Sequence, residues 1–196
     1  MIRRSGERGY TMIELMVVVA LVASVGAISV PMLGNAIGYF RLTGDARELA
    51  NTVALAKIRA ASDFSQARVY VDLGAKSYRV EIFRKTGPPA WVQEGGVTAM
   101  SYHVTLGFGS VTAPPPNTQA AIAQAPACRD AAGSAIANTA CVVFNSRGVP
   151  IDDTGAPTAG DALYLADATS TYGVTVAASG QIQMWRRGGA TAWTKQ

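Results

Sequence analysis

Histidine is nearly absent from this 196-residue chain: His103 is the only one, and cysteine occurs twice. A structural zinc site needs four ligands, so no metal is assigned. No Gly-x-x-x-x-Gly-Lys-Ser/Thr phosphate loop is present, and no Gly-x-Ser-x-Gly nucleophile elbow. His103 falls in "SYHVTL" with no cysteine nucleophile beside it, and reads as a half-exposed strand residue rather than a base. "DDTG" (Asp152 to Gly155), with Asp161 nearby, offers oxygens suited to calcium, yet Asp and Gly at this density read first as a turn. No catalytic residue and no cofactor are assigned, and the chain is read as a non-enzyme.

Charge is also scarce, at 15% of residues, and the formal net charge is only +4. Half of that excess lies in the first nine residues, where Arg3, Arg4 and Arg8 face Glu7 alone. From Leu15 to Phe40 there is no charge at all. The most apolar part, Leu15 to Leu33, is 19 residues long, against the roughly 20 helical residues that cross a hydrocarbon core. Basic residues before the run and none close after it predict a single pass, with the N-terminus cytoplasmic and the rest exported. A secretory signal would explain the basic stub, with "VAS" (Val22 to Ser24) as its cleavage site. Against that stand Glu14 inside the apolar run and apolar sequence continuing to Leu33. A carboxylate at mid-bilayer costs about 2.5–3.5 kcal/mol, less near an end, and wants a partner. The plainer account is an interfacial Glu reaching the headgroups.

The stretch Gly9-Tyr10-Thr11-Met12-Ile13-Glu14 resembles the prepilin processing motif of the type IV pilin and pseudopilin superfamily: a short basic leader ending in Gly, an aromatic residue, and Glu five places past the cut. The resemblance implies cleavage after Gly9 by a prepilin peptidase and N-methylation of Tyr10, where the family usually has Phe. It also implies a partner for Glu14, the freed N-terminal amine of an adjacent subunit. Leader 1–9, transmembrane helix 10–33 and stem helix 34–64 are the expected N-terminal divisions. Gly26 and Pro31 are the expected weak points of the helix.

From Leu42 the pattern turns amphipathic. Leu42, Ala46, Leu49, Val53, Ala60 and Phe64 recur at helical spacing among charged neighbours. Beyond Phe64 the period becomes two. "ARVYVDL" and "SYRVEIF", separated by Gly74-Ala75-Lys76, predict a hairpin. Further strands are expected at Thr98 to Leu106, Cys141 to Phe144, Ala162 to Leu165, Tyr172 to Ala177 and Gln181 to Trp185. The expected class is α+β: a long N-terminal transmembrane and stem helix packed on an antiparallel β-sheet head (65–196), a lollipop in outline. The Pro- and Ala-rich insertion 113–126 is expected to be an exposed loop.

The head order resembles the GspH/FimT group of minor pseudopilins and minor pilins. The marks are Val142 to Gly148, an apolar-x-Phe-x-x-x-Gly turn, and a last strand pair joined at Gly180. The resemblance implies a low-abundance subunit that starts or caps a filament, in type II secretion or in a type IV pilus. Its partners would be other pilins, its location the inner membrane with the head periplasmic. Cys128 and Cys141 both fall in the exported part, where an oxidising compartment favours a disulfide; two buried thiols are the alternative, and Cα separation decides. A different class, a DNA-binding minor pilin, is suggested by Arg186, Arg187 and Lys195 beside Trp185 and Trp193, in a tail with no acid from Ala168 to Gln196. DNA-binding FimT proteins carry Gly-Arg-x-Arg near this turn. The matching stretch here is Gly180-Gln181-Ile182-Gln183, with neither Arg, which counts against nucleic acid as a partner.

Overall fold

The computed structural model describes residues 10–189 and 191–196, so the leader and Gly9 lie outside the described residues. The chain divides into two compact units, Met1–Tyr39 and Phe40–Gln196, and one helix, α1 (Met12–Ser62), contributes to both. In the first unit Met12–Ser29 is long and apolar enough to cross a membrane, and none of it is buried within the chain.

The second unit is an α+β domain in which α1 supplies one layer. Leu42, Ala46, Leu49, Val53, Ala56 and Ala60 are fully buried along one face, at the spacing expected of the stripe. Phe64 departs from that expectation. The helix ends at Ser62, and the Ser65 N–H donates to the Ala60 carbonyl (3.1 Å) while the Phe64 N–H donates to that of Ala61 (3.4 Å). This is a Schellman closure with Phe64 at its left-handed position (φ 48°). The chain turns there, and the Phe64 ring is 74% exposed.

The strands form two antiparallel sheets rather than one. They are β1 (Ala67–Asp72), β2 (Ser77–Arg84), β3 (Ala90–Ala99), β4 (Thr105–Leu106), β5 (Thr139–Phe144), β6 (Pro150–Ile151), β7 (Asp161–Ala166), β8 (Ser170–Val176), β9 (Ile182–Gly188) and β10 (Thr194–Lys195). The first sheet has the order β3-β2-β1-β5-β6, the second β10-β9-β8-β7-β4. One core joins α1 to both: Val69 and Val71 of β1, Val142 and Phe144 of β5, Leu163 and Leu165 of β7, and Tyr172 and Val174 of β8. Alternation along β1 sends Ala67, Val69 and Val71 to that core, and Arg68 and Tyr70 to the opposite face.

Aspartate and asparagine close the turns. Asp72 Oδ1 accepts from the Gly74 and Ala75 N–H groups in the predicted hairpin, and Asp167 Oδ1 does the same for Thr169 and Ser170 between β7 and β8.

Two further expectations are not met in full. The strand expected over Thr98 to Leu106 is broken: β3 ends at Ala99, and His103 lies in a turn with φ 70°, its ring against Tyr102. The Asp45 carboxylate of α1 holds this turn, accepting from the Ser101 N–H and hydroxyl, each at 2.8 Å. The Pro-rich insertion is not simply exposed. Pro115 and Ala125 are buried, the Ala125 N–H donates to Ala162 O, and Pro126 O accepts from the Cys141 N–H. The Gln124 side chain accepts from the Tyr164 N–H and donates to its carbonyl, as an adjacent strand would. Edge backbone groups of β7 need partners, and this segment supplies them despite its composition.

Candidate functional site

Thr11 begins α1. Its Oγ1 accepts from the Glu14 N–H (3.3 Å) and its carbonyl from the Leu15 N–H (3.1 Å). Thr11 is therefore the N-cap and Glu14 the third helical residue, the Thr-x-x-Glu spacing of a capping box. That signal was readable in the sequence but was masked by the processing motif over the same residues. Glu14 thus has two physical uses. Its negative charge lies in the first turn, where the helix dipole favours an anion, and it is exposed and available to an external cation. Tyr10 is also exposed and precedes the cap. Gly26 lies inside α1 with no atom within 4 Å of where a Cβ would stand. Position 31 is inside the bounds of α1 too; the Pro31 side chain lies outside the described set.

In the second unit the two glycine turns marked by the sequence meet. Asn145 Oδ1 accepts from the Arg147 and Val149 N–H groups and closes the turn that holds Gly148 (φ 72°). The β8–β9 turn holds Gly180 (φ 75°), and a Cβ on it would stand 2.4 Å from the Gly148 carbonyl oxygen. Lys57 of α1 runs between them: its Nζ donates to Gly180 O (2.8 Å), and its methylenes lie against Gly148. The helix and both sheets are joined at this point.

Cys128 and Cys141 form a disulfide, with Cα atoms 4.9 Å apart. Both are buried beside Tyr70, Ile136 and Val143, on the face of the first sheet away from α1. The bridge clamps the segment after the Pro-rich insertion onto β5. In the chain-entropy account, losing a loop this short costs roughly 3 kcal/mol. Cys128→Ser with Cys141→Ser should lower the unfolding free energy by about that much. Denaturant titration checks this, and wild-type protein under reductant should shift equally.

The tail cations do not form one patch. Arg187 is on the face of β9 that carries Trp185, whose register partner is Lys195, whereas Arg186 shares the opposite face with Met184 and Ile182, which pack on the core. The Trp185 Nε1–H donates to Thr175 Oγ1 and the Trp193 Nε1–H to Ala113 O, so both indoles have structural partners. Asp152 uses its carboxylate to close its own turn, accepting from Thr154 and Ala156; the Thr154 hydroxyl contributes most to lowering its pKa. Asp153 pairs with Arg129 at 2.5 Å. Among the described residues, no three His, Cys, Asp or Glu side chains are grouped to hold a metal.

The family model described as "Prokaryotic N-terminal methylation motif" matches residues 4–30. The N-terminal segment therefore carries a prokaryotic N-terminal methylation motif. Two solved structures of the minor pseudopilin EpsH from the type 2 secretion system of Vibrio cholerae are similar in outline. One has a TM-score of 0.45 at 12% identity, covering 74% of this chain and 95% of that one. The other has the same score and identity, covering 77% and 96%. No curated protein matches the chain.

Proposed function

We propose that this chain is a non-catalytic minor pseudopilin or minor pilin that helps initiate or cap a filament. The methylation motif over residues 4–30, which takes in a helical stretch, Met12–Ser29, apolar enough to enter a membrane, is the observation that carries this reading. In it, segment 10–33 is the transmembrane helix and 34–64 the stem. The N-terminus stays cytoplasmic, the head lies beyond the inner membrane, and Gly26 and Pro31 let the helix loosen as the subunit leaves the bilayer. A prepilin peptidase cuts after Gly9 and methylates Tyr10. Glu14 then answers the amine of a neighbouring subunit in the filament core.

Intact mass of the membrane-extracted protein tests the processing step. The expected product lacks Met1 to Gly9 and carries one added methyl group. A mature end near Ser24 would instead restore the secretory-signal reading and refute this one.

A further inference from the structure

The face of the first sheet that points away from α1 carries a cleft of about 400 Å³. Its floor is Arg68, with the guanidinium 4.0 Å from the Trp91 ring centroid. One wall is the disulfide-clamped segment around Arg129, and the far end is formed by Ile151, Asp152 and Asp161. The two cations at the cleft are already committed. Arg68 Nε and Nη2 donate to Glu81 Oε2 at 2.7 and 2.6 Å, and Arg129 holds Asp153. Asp161 differs from both. Its residue is only 8% exposed, it lines the cleft, and among the described residues no hydrogen bond or ion pair reaches its carboxylate. A largely buried carboxylate with no protein partner is costly to ionise, and a cation entering the cleft would supply that partner.

We propose that this cleft receives a lysine or arginine side chain from a partner protein, its cation on Asp161 and its methylene stem along Ile151. The charges decide the sign. Asp130, Asp152 and Asp153 also line the cleft, so a cation is drawn in and an anion repelled. The apolar wall decides the shape, since Lys and Arg bring an aliphatic stem behind a charged head. Burial, with Asp152 adding to it, pushes the Asp161 carboxyl up to about 6. The free site therefore holds a carboxylate ready for a cation at neutral pH and loses it in acid. The titratable groups lining the cleft with it are Asp130, Asp152, Asp153, Arg68 and Arg129. The inference does not depend on the filament reading, because the cleft lies wholly within the second unit.

The test uses the full chain in detergent micelles, with NMR observation. The probes are an acetylated, amidated pentapeptide Gly-Leu-Lys-Leu-Gly, the same peptide with norleucine for lysine, and spermidine. The lysine peptide is expected to shift Asp161 and Ile151, and to bind at least tenfold tighter than the norleucine peptide. Asp161→Asn should abolish that discrimination. The variant should also melt higher than wild type at pH 7 and equally at pH 4. An acid whose folded pKa is raised favours folding fully below its unfolded value, near 4, and loses that contribution as pH rises through about 6. Equal binding of the two peptides overturns the proposal, as does binding that survives Asp161→Asn. Binding of spermidine without the lysine peptide overturns the protein partner. No gain in melting temperature at pH 7 would show that Asp161 has a partner within the chain, and would overturn it too.

Discussion

Gly180→Ala should lower the stability of the second unit by about 2–5 kcal/mol. A left-handed backbone costs a residue with a Cβ roughly 1–2 kcal/mol, and overpacking typically adds about 1–3. Both apply here. The φ of Gly180 is 75°, and its Cβ would stand 2.4 Å from the backbone oxygen of Gly148, which cannot swing aside as a side-chain end can. The Lys57 bond to Gly180 O ties the same turn to α1, so relief by moving the turn would break that bond. For a domain of this size each kcal/mol is worth ~2–4 °C in melting temperature. Gly26→Ala is the control, since that site is open, and it should leave the melting of the head unchanged. A Gly180→Ala protein that melts with wild type would mean the contact between the two turns is not made.

The elements that were legible share one property: their signal is local. The β1–β2 hairpin lay open in its period-two alternation and its Gly74 turn, and the buried stripe of α1 in its helical spacing. The N-terminal motif needed only six adjacent residues. No strand was expected over most of β3, where Gly95 and Gly96 interrupt any alternation. In the structure Gly95 has φ 76°, and the pairing with β2 shifts register between Tyr78 and Val80, so the glycines serve a bulge inside a strand. The insertion 113–126 was misread for the opposite reason. Its composition suggests solvent, but Gln124 and Ala125 serve as partners for β7, forty residues away in sequence.

The candidate site divides along the same line. Glu14 stands out because an acid in an apolar run is anomalous within its own helix. The pairing of Cys128 with Cys141 followed from compartment and count, and the fold supplied the short Cα separation that decides it. Asp161 drew notice only as an oxygen donor beside Asp152 to Gly155, never as an acid without a partner. It sits among ordinary turn residues in "DDTGAPTAGD", and its isolation arises only when Arg129 turns to Asp153 and Arg68 to Glu81. In the same way, Arg186 and Arg187 read as one basic pair until strand alternation places them on opposite faces.

Glu14→Gln should abolish incorporation into filaments as completely as Glu14→Ala, while the protein reaches wild-type abundance in the membrane. The glutamine variant separates the two uses of this residue. A capping box is satisfied by Glu or Gln at the third helical position, so Glu14→Gln keeps the hydrogen-bonding capacity of the helix start. The Thr11 cap itself uses the backbone N–H of residue 14, and survives in both variants. What glutamine lacks is the negative charge. Removing an acid from the apolar run also eases insertion, and the head core begins only at Leu42, so neither folding nor targeting should suffer. In an assembled core, a neighbour's amine left without a countercharge costs about 3–5 kcal/mol, enough at the upper end to lower incorporation more than a thousandfold. Co-purification with filament partners and the dependent secretion or piliation are the measurements. Rescue by glutamine but not alanine would assign Glu14 to the helix cap, and wild-type incorporation of both would remove it from assembly.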